Sequence, residues 1–281
     1  MKLTNIVLFI ILSYTSPVFG QINIWEGVDK HEKVMMTPYL APGSGNKCII
    51  ICPGGSYFWL AHKTEGHVVA RWLQSNGISS FVLNYRVARF PAFIVPYRYL
   101  FRGNRYPDAQ DDLKQAIRII KKRSKEYGID KNKIGAMGFS AGGHLVMSAA
   151  ELFDKEDRPA FVAPIYPVVT MESQWVHKRS RRALLGDNRK TDKQLRDLLS
   201  LEKHVPEDCP PVFLLCCKDD PIVHYQNSVL LDSALTAKKI SHKYITYRTG
   251  GHGFGADSKK GTPESRQWKE EFLNWIQNIG L

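Results

Sequence analysis

Cysteine is scarce in this chain, and so are apolar runs long enough to cross a bilayer. The five cysteines, Cys48, Cys52, Cys209, Cys216 and Cys217, are spread over 281 residues, too few for a disulfide-stapled scaffold of this size. Cys48 and Cys52 stand four apart in a strand-like run, a separation of about 13 Å that no disulfide bridges, so both are expected as core thiols. Neither Cys-x-x-Cys nor His-x-x-x-His occurs, which removes the usual frame for a metal site. The leading apolar stretch, Ile6 to Leu12, is too short to span a membrane. Between Lys2 and Val18-Phe19-Gly20 it reads as a signal peptide over residues 1–20, cut before Gln21, and no cysteine follows the cut to carry a lipid. The expectation is therefore a secreted or periplasmic protein without stable membrane insertion.

Acidic residues are the minority, 27 against 39 Lys and Arg, for a formal net charge of +12; Lys2 is the only charge in residues 1–20, so the remainder carries 12 − 1 = +11. Such an excess attracts anions without naming one. Its densest run, His177-Lys178-Arg179-Ser180-Arg181-Arg182, has no interleaved aromatic residues and matches no nucleic-acid motif, so it reads as a solvated surface. Repeats and low-complexity segments are absent. With 43% hydrophobic and 23% charged residues, residues 21–281 are long enough and apolar enough for one α/β domain with a sizeable core.

Apolar runs and turn residues alternate along that domain. Ile22 to Trp25 and Val34 to Leu40 are expected as antiparallel leading strands, with Pro38 favouring an edge. Cys48-Ile49-Ile50-Ile51-Cys52 is uninterrupted, as a strand covered on both faces requires. A helix with Thr64 as N-cap follows, carrying Val68, Val69, Trp72 and Leu73 to Gly77, and then a strand from Ile78 to Tyr85. This βαβ order implies a parallel sheet with right-handed crossovers. Residues 88–106, rich in Phe and Tyr, lack a period and read either as a wall over the site or as a packed excursion. The stripe Leu113, Ala116, Ile117 and Ile120 marks a helix, and Lys133 to Met137 a buried strand. Phe161 to Val169 is expected as an irregular strand. Residues 171–211, helical over 194–201, lie where a cap is often inserted. Phe213 to Cys217 and Ile240 to Tyr247 complete the strands, and Trp268, Phe272, Trp275, Ile276 and Ile279 share one face of a closing helix.

Gly138-Phe139-Ser140-Ala141-Gly142 sits between a strand and a helix, the setting of a nucleophile elbow. The turn forces Ser140 into a strained conformation, and side chains two residues to either side would collide with the neighbouring elements. A serine hydroxyl needs a neighbouring base. Of nine histidines, His252 is preferred because it follows a strand in Thr249-Gly250-Gly251-His252-Gly253-Phe254-Gly255, after both serine and acid in chain order. His144 on the elbow helix is expected to pack behind it, and His224 is a minor rival. The orienting acid is expected at Asp220, with Asp219 and then Glu172 as alternatives. Oxyanion donors are expected from the Ala141 N–H and from Pro53-Gly54-Gly55-Ser56-Tyr57, with Gly55 first and Gly54 or Ser56 as alternatives. Ser56 and Tyr57 are expected to touch substrate.

With these residues placed, the chain resembles the bacterial acetyl-xylan and feruloyl esterase group of α/β-hydrolases, related to the hormone-sensitive-lipase and dienelactone hydrolase families. The matching pieces run in order through the domain: Pro53 to Tyr57, Tyr85-Arg86-Val87, Tyr106-Pro107 with Asp112, Gly138 to Leu145, Tyr166 to Met171, Ser180-Arg181-Arg182 with Leu184-Leu185-Gly186, Asp219 to Val223, and Gly251 to Gly255. Ser56 stands where that group often has a third glycine. The resemblance implies an α/β-hydrolase fold with a mostly parallel sheet and a small cap. It also implies a cofactor-free serine esterase acting on acylated plant polysaccharide through Ser140, His252 and Asp220. Two readings compete with it: a peptidase of the prolyl oligopeptidase kind or general short-chain carboxylesterase, and a non-catalytic binding protein on a hydrolase scaffold. The oligomeric state is left open.

Overall fold

The computed structural model describes residues 20–28, 33–43, 46–94 and 103–280. The expected signal peptide up to residue 19 and the middle of the aromatic excursion, 95–102, lie outside the described residues. The strands are β1 (Ile22–Asn23), β2 (Met35–Tyr39), β3 (Asn46–Cys52), β4 (Ser79–Leu83), β5 (Ile129–Phe139), β6 (Val162–Ile165), β7 (Val212–Cys217) and β8 (His242–Tyr247). They form one sheet ordered β1-β2-β4-β3-β5-β6-β7-β8. β2 pairs antiparallel with β1 and β4, and all the remaining neighbours are parallel. Pro38 falls beyond Met35 and Met36, the two residues that β1 covers, so no strand among the described residues pairs with its outer flank.

The helices are α1 (Val68–Ser75), α2 (Phe90–Ile94), α3 (Asp108–Lys122), α4 (Ala141–Leu152), α5 (Lys178–Leu185), α6 (Lys193–Leu198), α7 (Gln226–Ala237) and α8 (Trp268–Asn278). Alternation along β3 shows why its run is apolar without a break. Cys48, Ile50 and Cys52 join a core with Leu113 and Ile117 of α3, Leu145 and Val146 of α4 and Leu231 of α7. Ile49 and Ile51 join the opposite core with Val69 and Leu73 of α1 and Trp268, Phe272 and Ile276 of α8. Each face of the sheet is thus sealed by its own helices. All five cysteines are buried free thiols.

Three sequence expectations are corrected. Thr64 does not cap a helix: a π-helical turn, His62–His67, precedes α1 and buries Glu65 and Gly66. The reason is that the Glu65 side chain turns inward to backbone and tyrosine donors. β6 stops at Ile165 instead of reaching Val169, because Tyr166 takes a left-handed φ of 38° and breaks the strand. β5 begins earlier than expected, at Ile129. The cap-like stretch 171–211 folds back onto the body, with Leu184, Leu185, Leu199 and Leu201 in the same core as α4, while Arg182 donates to the carbonyls of Ala92 and Phe93 in α2. No helix among the described residues is long and apolar enough to cross a membrane.

Candidate active site

Ser140 is the one residue between β5 and α4, at φ 54° and ψ −116°. Non-glycine residues enter that region at a cost and stay there only when their surroundings dictate it. Here the surroundings are backbone. A side-chain carbon added at Gly138 would lie 2.0 Å from the Gly142 carbonyl oxygen, and one added at Gly142 would lie 2.0 Å from that of Cys52. The Ser140 N–H donates to the Ile165 carbonyl at 2.9 Å, and the Ser140 carbonyl accepts from the N–H groups of His144 and Val168, both at 3.2 Å. The hydroxyl is therefore held at the C-terminal edge of the sheet.

Two further strand ends bring the other polar groups to it. Asp220 follows β7 and His252 follows β8. The His252 Nδ1 donates to Asp220 Oδ2 at 2.6 Å, and Nε2 lies 2.9 Å from Ser140 Oγ, placed to accept its proton. The other Asp220 oxygen accepts the N–H groups of Ile222 and Val223 at 2.8 and 2.9 Å. A carboxylate so fully occupied cannot swing away, so the imidazole tautomer is dictated by its partner. Asp219, the alternative acid, holds the histidine loop instead, accepting from the N–H groups of Gly250 and Gly251 at 3.2 and 2.9 Å. Glu172 binds Lys203. His224 stacks on Trp175 and Tyr225, with ring centroids 4.1 and 4.8 Å away.

His144 lies buried behind the elbow. Its Nε2 pairs with the Leu199 carbonyl and its Nδ1 with the Tyr57 hydroxyl, each at 2.9 Å. Burial pushes its pKa down to about 4, with the Leu199 contact opposing. The same contact corrects Tyr57, which was expected at the substrate: it is 2% exposed, and its hydroxyl is spent inside the fold. Ser56 is buried to much the same degree as Ser140, in a turn where both Ser56 and Tyr57 take left-handed φ values.

The loop after β3 passes beside Ser140, its Gly54 so close that an added side-chain carbon would stand 2.9 Å from Ser140 Cβ. The Gly54 N–H is already used, donating to Glu65 Oε2 at 2.8 Å. The Gly55 N–H donates to no backbone acceptor among the described residues, and the Ala141 N–H, first in α4, is one that a helix cannot bond internally. Both are available to a developing oxyanion, and the start of α4 adds its positive end. Beside this loop stands an aromatic rim. Trp59 is 39% exposed and Phe90 60%; Phe93 sits between them, with its ring 5.5 Å from Trp59 and 6.2 Å from Phe90. Within the 88–106 excursion, Phe93 thus packs against Trp59, whose ring lies close to Gly55.

Glu65 and the hydroxyl of Tyr166 went unrecognised in the sequence. Tyr166 Oη donates to Glu65 Oε1 at 2.9 Å and accepts the Gly255 N–H at 3.0 Å, and its ring lies 4.7 Å from that of His252. The Trp268 indole N–H donates to the Gly255 carbonyl at 3.0 Å, so α8 also bears on the histidine loop. An acid in the first turn of an expected helix already has a sufficient explanation in the helix dipole, which hid Glu65.

Comparison with known proteins adds the lineage. An acetylxylan esterase of Xylanibacter ruminicola is 30% identical over 249 residues, covering 88% of this chain and 48% of that protein, so the chain spans about half the length of this relative. Among solved structures, an acetyl ester-xyloside bifunctional hydrolase from Caldicellulosiruptor lactoaceticus superposes with a TM-score of 0.81 at 32% identity, covering 95% of this chain and 99% of that one. An alpha/beta hydrolase enzyme from a Medee basin deep-sea metagenome library shares the fold, with a TM-score of 0.70 at 20% identity over 92% and 96% of the two chains. The BD-FAE family model matches residues 39–235, from the end of β2 into α7, and the chain belongs to the BD-FAE family, on an α/β-hydrolase fold.

Proposed function

We propose that this protein is an exported serine carboxylic ester hydrolase that removes acetyl or similar small acyl groups from plant polysaccharide such as xylan. The observation that carries the reading is the unbroken chain of contacts from Asp220 through His252 to Ser140. In this reading Ser140 Oγ attacks the ester carbonyl while His252 Nε2 takes its proton, and Asp220 steadies the imidazolium that forms. The oxyanion gathers on the N–H groups of Gly55 and Ala141. His252 then protonates the departing sugar hydroxyl, and water, activated by the same imidazole, releases the acid.

The xylan-related names of the relatives support the substrate class. Ser140→Ala is expected to lower kcat on p-nitrophenyl acetate by roughly 10⁴- to 10⁶-fold and to abolish labelling by a fluorophosphonate. Turnover near wild type would overturn the reading. The aromatic rim of Trp59, Phe90 and Phe93 favours a second version, in which a hydroxycinnamoyl group or a pyranose ring lies against it. Assays on acetylated xylan, acetylated pectin and methyl ferulate, with Trp59→Ala alongside wild type, separate the two: a loss confined to ferulate assigns the rim to the acyl group. Export rests on Lys2 and the run Ile6 to Leu12; recovery of the intact, uncleaved chain from the cytoplasm of an expressing bacterium would remove it.

A further inference from the structure

The proton relay leaves one buried carboxylate beside it without a task. Glu65 is 2% exposed and reaches the site because the π-helical turn His62–His67 points it inward, a local irregularity often found where function needs one. Its two oxygens face two different catalytic loops. Oε2 accepts the Gly54 N–H at 2.8 Å, and Gly54 lies so close to the nucleophile that a side-chain carbon there would stand 2.9 Å from Ser140 Cβ. Oε1 accepts the Tyr166 hydroxyl at 2.9 Å, and that oxygen in turn accepts the Gly255 N–H at 3.0 Å. Gly255 also presses on the same turn, where an added carbon would meet the Thr64 carbonyl oxygen at 2.1 Å.

We propose that Glu65 is a positioning residue: through Gly54 on one oxygen and the Tyr166–Gly255 pair on the other, it sets the distance between the oxyanion loop and the histidine loop. This rests on the esterase reading and deepens it. The ends of β3, β6 and β8 share no strand pairing with one another at these residues, so the carboxylate joins loops that the sheet alone leaves independent. Gly55 and His252 must address the same carbonyl group within a few tenths of an ångström, and a two-armed acceptor between their loops meets that demand. Burial raises the Glu65 pKa, opposed by His252, the Tyr166 and Gly54 donors and Lys260. Of the groups around it, Tyr166 and Gly54 donate to the carboxylate, while His252 and Lys260 act through charge, and Tyr85 also senses it. Around His252 stand Asp220, Ser140, Tyr166 and, at longer range, Glu65 and His177.

The test compares wild type, Ser140→Ala, Glu65→Gln, Glu65→Asp and Tyr166→Phe on p-nitrophenyl acetate, with full pH profiles and thermal melts. Glu65→Gln keeps the shape but turns one acceptor into a donor, so kcat is expected to fall about 10- to 100-fold while KM changes less than about threefold. Removing the negative charge makes the imidazolium harder to form, so the acid limb of kcat/KM moves to lower pH. Tyr166→Phe gives a smaller loss of kcat, with the acid limb near its wild-type position. If Glu65→Gln fails to fold, Glu65→Asp and Tyr166→Phe carry the same comparison. Folded variants with kcat within about twofold of wild type and an unmoved acid limb overturn the proposal. So does a loss that only tracks the folded fraction. Full activity in Ser140→Ala would instead remove the esterase reading itself, and with it the reaction that Glu65 serves.

Discussion

Ser140 and His252 are held in place by opposite means. The elbow is fixed by contact: Gly138 and Gly142 let three backbone segments close to distances at which no side-chain carbon fits. The histidine loop is fixed by acceptors. Asp219 takes the N–H groups of Gly250 and Gly251, Glu264 those of Arg248 and Thr249, and Tyr166 that of Gly255. Close packing has no intermediate setting, because one methyl group either fits or displaces main chain. Hydrogen bonds can be removed one at a time. The elbow should therefore fail abruptly on mutation, and the histidine loop by degrees.

The largest loop effect is expected at Asp220, where relay and loop support coincide. Asp220→Asn should lower kcat about 10⁴-fold in single-turnover or steady-state assays, since the wrong imidazole tautomer then faces Ser140. A drop of less than tenfold would make Asp220 one support among several. For the elbow, Gly142→Ala is expected to destabilise the fold by roughly 3 kcal/mol in urea titration, the upper end for overpacking, because the obstacle is the Cys52 carbonyl and not a movable side chain. A variant as stable as wild type would break the steric half of the comparison.

The packed side can also be probed by pH through His144. Its folded pKa of about 4 lies below the usual 6.5, so on acidification the unfolded chain takes up a proton first. Stability should fall as pH drops from about 6.5 to about 4, by up to roughly 3 kcal/mol, and be unaffected by this group above that window. His177, also pushed down to about 4, contributes in the same range, so the difference between wild type and His144→Gln in denaturant titrations isolates His144. An identical slope in both would refute the assignment. The smallest effect belongs to Asp219→Asn, which keeps one acceptor for the loop: a loss of about three- to tenfold in kcat/KM, with the melting temperature nearly unchanged, is the graded response expected of hydrogen-bond support.

The parts of the site that were readable in the sequence are those whose cause is local. Glycine on both sides of Ser140, and Asp220 and His252 each directly after an apolar strand, follow from a few neighbouring residues. Asp219 and Asp220 were harder to tell apart, because adjacent carboxylates after one strand differ only in which partner each meets across the sheet edge. Tyr57 was misplaced because its hydroxyl answers to His144, 87 positions away, and Thr64 because its neighbour Glu65 answers to Tyr166, 101 positions away. The mostly parallel sheet follows from the βαβ rhythm. The early end of β6 does not, since the left-handed Tyr166 carries no turn residue to announce it.

The contact between the histidine loop and α8 bears on how the two halves of the site could come apart. The His252 loop leans on the Trp268 indole of α8, whereas the Ser140 turn is held by Ile165 and Val168. Along the chain, Ser140 stands 112 positions before the imidazole it meets. Loosening of α8 would therefore slacken the imidazole and leave the hydroxyl's turn standing.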